Sequence, residues 1–144
     1  MAVDEQVRKC VILLSEKREG LAQEFELDLP SMSINSDPDL LQQIWLNLID
    51  NAMKYSGSES IIHISGQSDL QGITVTVQDE GIGIPAEKQG QIFDAFYQCE
   101  ESHKKDGNGL GLSIVKRILE LLNGSIECHS IEGSGTRMTV NIQK

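Results

Sequence analysis

The chain has 144 residues, of which 39% are apolar, so it can bury a core large enough for one ordinary globular domain. Twenty-two acidic residues against twelve basic ones give a formal net charge of −10, which argues against a nucleic-acid partner. The three cysteines lie far apart without metal-ligand spacing, so neither a disulfide framework nor a zinc site is expected. No run approaches the roughly 18 apolar residues of a membrane span, and no signal-peptide pattern is present. We therefore expect a soluble, cytosolic domain.

The first predicted element is an amphipathic helix over residues 4–18. Its apolar residues recur at helical spacing, and Gly20 follows as a helix breaker. Polar and apolar residues then alternate from Gln23 to Leu29, which is typical of a half-buried strand. We expect a further short strand over 31–34. The apolar stripe of the helix comprises Val3, Val7, Cys10 or Val11, and Leu14.

A second helix is predicted over residues 38–55. It has an Asp or Ser cap, and Pro38 occupies a first-turn position, where its missing N–H costs nothing. Three polar residues, Asn47, Asn51 and Lys54, share a stripe that differs from the core face. The predicted core face comprises Leu41, Ile44, Trp45, Leu48, Ile49 and Ala52.

The middle of the chain predicts a hairpin followed by a loop. Residues 61–65 and 73–78 are rich in strand-forming residues and flank a turn containing Gly, Ser and Asp, which indicates an antiparallel pair. Residues 80–85 contain too much Gly and Pro for regular structure. A brief helix over 86–92 follows, and the polar, non-periodic residues 97–108 predict a mobile lid.

The last third predicts one more core helix and a final hairpin. The helix ends at Asn123-Gly124, where a left-handed cap is expected, and strands over 125–130 and 136–142 follow. Because most strands form hairpins, we expect an α+β fold with a mixed, mostly antiparallel sheet covered on one face by helices. The predicted core face of this helix comprises Leu110, Ile114, Ile118, Leu121 and Leu122.

Two segments could bind a nucleotide base and a cation, and each has a simpler alternative. An acid followed by glycines, as in Asp79 to Gly83, can accept a hydrogen bond from an exocyclic amine while a flat base approaches closely. The same residues are also ordinary at the end of a hairpin. Asparagine oxygens such as those of Asn47 and Asn51 suit Mg²⁺, although such a stripe is more often a solvated helix face.

Two glycine clusters could bind phosphate or form turns. Gly107 to Gly111 precedes a helix, so its N–H groups and the positive helix end could hold phosphate. It is neither a Walker A loop, since no Gly-Lys-Ser/Thr ends it, nor a clear dinucleotide fingerprint, since no matching βαβ unit surrounds it. Gly133 to Thr136 is equally consistent with a plain hairpin turn.

Taken in order and spacing, five segments resemble the N, G1, F, G2 and G3 boxes of histidine kinase catalytic domains. The resemblance covers about residues 37–144, and it implies a two-layer α/β sandwich of the Bergerat (GHKL ATPase) type within a single domain, 1–144, whose mobile ATP lid spans about 97–108. The segments run from Asn47 to Ser56, Asp79 to Pro85, Ile92 to Tyr97, Gly107 to Val115, and Gly133 to Thr136.

The resemblance also implies roles in binding ATP and Mg²⁺ and in phosphoryl transfer. By this resemblance the catalytic set would be Asn47, Asn51 and Lys54, with Asn51 as a ligand of Mg²⁺ and Lys54 in contact with the phosphates. Asp79 would accept a hydrogen bond from the adenine N6 amine. The other nucleotide-binding residues are Tyr55, Gly81, Gly83, Ile84 and Thr136 around the base, Phe93 and Phe96 at the lid, and Gly107, Gly109, Leu110, Gly111 and Leu112 at the phosphates.

Two departures from the family pattern are visible. Gln98 stands where the family often has an arginine that contacts the triphosphate; Lys104 and Lys105 could replace it or could be solvated loop lysines. No histidine has the phosphoacceptor pattern, the three being His63, His103 and His129. We therefore expect an upstream dimerisation and phosphoacceptor domain in a longer parent anchored in the bacterial inner membrane, a response regulator as indirect partner, and a monomer when this domain is alone.

Three alternatives stay open within the same superfamily. An anti-sigma-factor-type serine kinase would have a degenerate F box, whereas Phe93 and Phe96 are intact. An ATP-gated dimer of the gyrase type needs a catalytic glutamate where this chain has Asn47, which cannot act as a general base. A non-catalytic nucleotide sensor is disfavoured by the complete set of Asn51, Asp79 and glycines.

Overall fold

The fold is a five-stranded sheet covered on one face by helices, as seen in a computed structural model that describes residues 1–17, 23–56, 60–93 and 111–143. The strand order is β1-β2-β3-β5-β4. The pair β1–β2 is parallel and the other three pairs are antiparallel, which confirms the predicted mixed, mostly antiparallel sheet. The strands are β1 (Glu24–Asp28), β2 (Ile61–Ser68), β3 (Gly72–Asp79), β4 (Gly124–Ile131) and β5 (Gly135–Gln143).

The helices are α1 (Val3–Lys17), α2 (Pro38–Tyr55) and α3 (Gly111–Leu121), with a short 3₁₀ helix over Ala86–Gln91. Buried side chains alternate along the central strands and join those of the helices in one apolar core. Every residue of the predicted apolar faces of α1 and α2 is buried, because both helices turn that stripe toward the sheet or toward each other.

The start of α2 is fixed by its cap. The Asp37 carboxylate accepts hydrogen bonds from the N–H groups of Asp39, at 2.9 Å, and Leu40, at 3.2 Å. One and a half turns later, the fully buried Trp45 donates from Nε1 to Gln6 Oε1 at 2.8 Å. Cap and indole together position α2 along the sheet and against α1.

The prediction of a short strand over 31–34 is wrong. Its residues pair with the beginning of the chain, where Ser33 forms only an isolated bridge with Ala2. The N–H of Met32 donates to the buried Asp4 carboxylate at 3.0 Å, while Val3 N–H donates to the Met32 carbonyl at 2.8 Å. These bonds use the backbone groups that a strand would need for the sheet.

The predicted core face of α3 is partly wrong. Ile118 is buried, but Ile114 is 38% exposed and Leu121 is 66% exposed, while Val115 and Leu119 are buried instead. Apolar residues fill more than one stripe of this helix, and packing against α2 and β4 decides which stripe is covered. Leu110 and the predicted lid, 97–108, lie outside the described residues.

The turn after α3 confirms the predicted cap. Asn123 has φ of 56°, a left-handed conformation that asparagine tolerates, and β4 begins at the next residue. Within the described ranges, no helix combines the length and apolar character needed to cross a membrane.

We predict that Asp37→Ala lowers the free energy of unfolding by about 1 kcal/mol, because two N–H groups at the start of α2 lose their acceptor. Urea denaturation followed by the fluorescence of the single tryptophan, Trp45, measures this directly. Asp39→Ala is the matched control, since it removes a first-turn charge but no capping bond, and should cost less than half as much. Equal costs for the two variants would show that the cap does not stabilise α2.

Candidate functional site

Three polar side chains form a row across one end of the sheet. Asp79 ends β3 and pairs in register with Thr136 on β5, which pairs in turn with Ser130 on β4. All three lie on the helix-covered face, because each has the same parity as the buried residues of β3 and β5 or the partly buried residues of β4. The row contains two residues that the sequence predicted, Asp79 and Thr136.

Asp79 is the buried acid of this row, with 8% of its surface exposed. Desolvation by burial raises the pKa of its carboxyl to about 6, although hydrogen bonds from the backbone N–H groups of Gly81 and Thr136 act in the opposite direction. The Gly81 N–H lies 2.9 Å from Oδ1. An acceptor that is partly desolvated and held by the backbone suits a ligand N–H group.

The loop after Asp79 is held from two sides. Ile82 donates its N–H to the Tyr55 carbonyl at the end of α2, at 3.2 Å, and its carbonyl accepts from Gly133 N–H at 2.7 Å. A methyl group on Gly81 would collide with the Tyr55 carbonyl, and Gly83 has φ of +71°, so both positions require glycine. The two glycines thus permit close packing between α2 and the loop, in addition to any space that they leave for a flat base.

Two residues of the site were missed in the sequence, Ser130 and Gln89. Ser130 Oγ accepts from Ile84 N–H at 2.7 Å and lies 2.8 Å from Thr136 Oγ1. Gln89 donates from Nε2 to the carbonyls of Ile84, at 2.9 Å, and Ser130, at 3.0 Å. The sequence did contain a signal for Ser130, because pairing the two strands of the predicted final hairpin about their turn places Ser130 opposite Thr136. No sequence pattern indicated Gln89.

The polar stripe of α2 approaches the start of α3 at Asn47. Asn47 Oδ1 would lie 3.3 Å from a methyl group placed on Gly111, the first residue of α3, and Asn47 Nδ2 donates to the Gln43 carbonyl at 2.8 Å. Lys54 Nζ forms an ion pair with Asp50 at 3.2 Å. Asn51 lies between them on the same stripe and is partly exposed.

The remaining predicted residues divide into those that pack beside this stripe and those outside the described ranges. Phe93, Ile84 and Leu112 pack against the core, and Lys116 Nζ on α3 lies 5.6 Å from the centre of the Phe93 ring. The predicted residues outside the described ranges are Phe96, Gln98, Lys104, Lys105, Gly107, Gly109 and Leu110.

The histidines lie away from this row. His63 Nδ1 is 3.0 Å from Glu26 Oε2 and Nε2 is 3.6 Å from Glu80 Oε1, while His129 Nε2 is 3.6 Å from Glu127 Oε2. Both histidines are on the sheet face opposite the helices, by their strand parity. His103 is outside the described residues.

The groups present fit a nucleotide better than a self-contained metal centre. The row offers a carboxylate and hydroxyls to a base, and the stripe offers amide oxygens, which hard cations accept as ligands. Within the described part of the chain, no group of three or more His, Cys, Asp or Glu side chains could hold a metal ion. A cation here would have to arrive with phosphates and water as most of its ligands.

Comparison with known proteins agrees with this geometry. Residues 36–144 match the family described as histidine kinase-, DNA gyrase B-, and HSP90-like ATPases. The heme sensor protein HssS of Staphylococcus saprophyticus is 40% identical over 117 residues, which are 81% of this chain and 25% of that protein. The sensor protein kinase WalK of Staphylococcus haemolyticus is 40% identical over 124 residues, 82% of this chain and 20% of that protein.

The chain therefore spans a quarter or less of the length of these relatives. Among solved structures, the catalytic domain of the histidine kinase ThkA has a TM-score of 0.84 at 25% identity, with 100% of this chain and 94% of that one covered. These matches confirm the expected Bergerat-type sandwich and do not favour the serine-kinase alternative. The chain belongs to the histidine kinase-, DNA gyrase B- and HSP90-like ATPase family, as an ATP-binding catalytic domain of the sensor histidine kinase type.

Proposed function

We propose that this chain binds ATP with Mg²⁺ and positions the γ-phosphoryl group for transfer to a histidine on a domain that precedes it in a longer protein. The observation that carries the proposal is Asp79, a carboxylate 8% exposed at the end of β3. Ionised at neutral pH with little water around it, this carboxylate has lone pairs beyond those used by the Gly81 and Thr136 N–H groups, and the adenine amine is a suitable donor to them.

The base would lie against the cross-strand row. Asp79 accepts from the adenine N6 amine, and Thr136 adds a hydroxyl beside it. Gly81 and Gly83 hold the loop close to α2, while Ile84 contributes apolar surface. Tyr55 lies at the other side of this loop, where its carbonyl already anchors Ile82.

The triphosphate would lie between the polar stripe and the start of α3. Asn51 supplies an amide oxygen to Mg²⁺, with Asn47 beside it facing Gly111. Lys54 reaches the phosphates only by sharing or leaving its ion pair with Asp50. The N–H groups at the start of α3, around Gly111 and Leu112, add positive potential. Within residues 94–110, which lie outside the described ranges, we propose further contacts to the nucleotide from Phe96, Lys104, Lys105, Gly107, Gly109 and Leu110.

The chemistry of such a site is positioning and charge neutralisation. When bound, Mg²⁺ neutralises phosphate charge as the phosphoryl group moves. Asn47 has no basic group to activate water, which favours transfer to a protein nucleophile over hydrolysis. We propose a histidine of an upstream dimerisation domain as acceptor, a response regulator as later recipient, and a parent anchored in the inner membrane whose catalytic domain is cytoplasmic and, by itself, monomeric.

We predict that Asp79→Asn weakens ATP binding by about tenfold or more, because an amide NH₂ replaces part of the acceptor facing the adenine amine. Calorimetric titration of the chain with ATP and Mg²⁺, with GTP as a selectivity control, measures the effect. Asp69→Asn is the matched substitution at the other end of the β2–β3 hairpin, where Asp69 accepts from the turn N–H groups of Gln71 and Gly72, and it should leave affinity unchanged. Undiminished ATP affinity in Asp79→Asn would contradict the base assignment.

The raised pKa of Asp79 predicts a pH-dependent cost to stability. A carboxyl whose pKa is higher in the folded chain than in the unfolded chain stabilises the fold when protonated. Here that stabilisation is complete below 3.8 and is lost as pH rises through about 6. Without nucleotide, the free energy of unfolding of wild type relative to Asp79→Asn should therefore fall by up to about 3 kcal/mol between pH 4 and 7.

Urea denaturation at several pH values gives this difference, and using the variant as reference cancels the other titrating groups. A difference that stays constant, or that grows with pH, would mean that Asp79 is not a desolvated acid in the free chain.

We predict that Asn51→Ala removes the gain in affinity that Mg²⁺ gives to ATP, a loss of about tenfold or more, since a protein oxygen ligand disappears. Titrations with Mg²⁺ and with EDTA separate this gain from base binding, which should persist in both. Asn35→Ala, at an exposed position outside the site, is the control. If Asn51→Ala keeps the full Mg²⁺ dependence, another residue holds the cation.

A further inference from the structure

Ser130 stands at the centre of a hydrogen-bond cluster beside the base row. Its Oγ lies 2.7 Å from Ile84 N, 3.0 Å from the Gly135 carbonyl oxygen and 2.8 Å from Thr136 Oγ1. A serine hydroxyl has one proton to donate and two lone pairs to accept with. Three neighbours therefore use its complete hydrogen-bonding capacity.

One arrangement of protons lets all three contacts be hydrogen bonds at the same time. The Ile84 N–H can only donate, so it takes one lone pair of Ser130. The Gly135 carbonyl can only accept, so it receives the Ser130 proton. The contact with Thr136 is then a hydrogen bond only if the Thr136 hydroxyl donates to the second lone pair of Ser130.

This assignment leaves Thr136 without a proton to offer elsewhere. Its Oγ1 can still accept, and Asp79, its register partner on β3, accepts as well when ionised. The two neighbouring side chains thus present acceptors along the same edge of the row. Gln89, on the 3₁₀ helix, also holds Ser130 beside Ile84, because its Nε2 donates to the carbonyls of both residues.

We propose that Ser130 is a specificity-determining positioning residue. Because it accepts the hydrogen bond that the Thr136 hydroxyl donates, Thr136 and Asp79 both present acceptors to the base. Their edge of the row therefore accepts an amine and rejects a carbonyl at the same position of a purine ring. The inference rests on the ATP site proposed above and deepens it. Adenine has an amine at position 6, whereas hypoxanthine has a carbonyl. A carbonyl there would face two acceptors and find no donor, which costs an unpaired polar group.

The test compares ATP with inosine triphosphate, which carries hypoxanthine and the same triphosphate. Dissociation constants for both are measured calorimetrically with Mg²⁺ at pH 8, where Asp79 is ionised. In Ser130→Ala, the Thr136 hydroxyl becomes free to rotate and donate to a carbonyl. The preference for ATP over inosine triphosphate should fall by roughly threefold to tenfold relative to wild type.

Two further substitutions separate specificity from simple structural damage. Ser130→Thr keeps the hydroxyl and should restore the preference, and Ser125→Ala, at an exposed position of the same strand, should leave it unchanged. A purely structural role of Ser130 would weaken both nucleotides by the same factor. An unchanged ratio in Ser130→Ala therefore overturns the inference, whatever the absolute affinities.

Thr136→Val is the substitute test if Ser130→Ala does not fold. Removing the Thr136 hydroxyl should weaken the binding of ATP and leave the binding of inosine triphosphate unchanged or stronger, so the preference for ATP again falls. A preserved preference for ATP overturns the inference. Wild-type chain that binds neither nucleotide would remove the proposed function itself. Wild-type chain that binds ATP, with variants that keep its preference, removes only the role of Ser130.

Discussion

A carboxylate held with little access to water is the constraint on which the rest of the site depends. Asp79 ends a central strand, and its burial opposes its ionisation strongly enough to raise its pKa to about 6. Two backbone N–H groups partly compensate, one from the following loop and one from the paired strand β5. The fold therefore keeps a group whose charged form is costly in the free chain, which is common where a ligand completes the hydrogen bonding.

The elements around Asp79 fix its position at the end of β3. The central position of β3 puts it between β2 and β5, so its strand cannot move without disrupting two ladders. The loop that follows is attached to α2 through Tyr55 and to the final hairpin through Gly133. Ser130 and Gln89 add the bonds that fix Ile84. Hydrogen bonds thus join α2, the loop and the final hairpin, and the polar stripe of α2 lies beside them.

Much of this could be predicted from local patterns. The helix over 38–55, the hairpins and the left-handed cap at Asn123 follow from periodicity, capping and turn residues, which act over a few positions. The same reasoning failed for residues 31–34, because their partner is the chain start about thirty residues away. It also failed for Ile114 and Leu121, because apolar residues fill more than one stripe of α3 and packing against α2 and β4 decides which stripe is covered.

By itself, the sequence determined most of the elements, their mixed and mostly antiparallel pairing and, through five ordered segments, the family to which the chain belongs. It also identified Asp79, Thr136 and the polar stripe as candidates. Only the tertiary structure decided that Asp79, Thr136 and Ser130 form one row and that Gln89 spans the carbonyls of Ile84 and Ser130. The physical reason is the range of the interactions: propensity and capping are local, whereas strand register, desolvation and hydroxyl hydrogen bonding depend on residues brought together from distant parts of the chain.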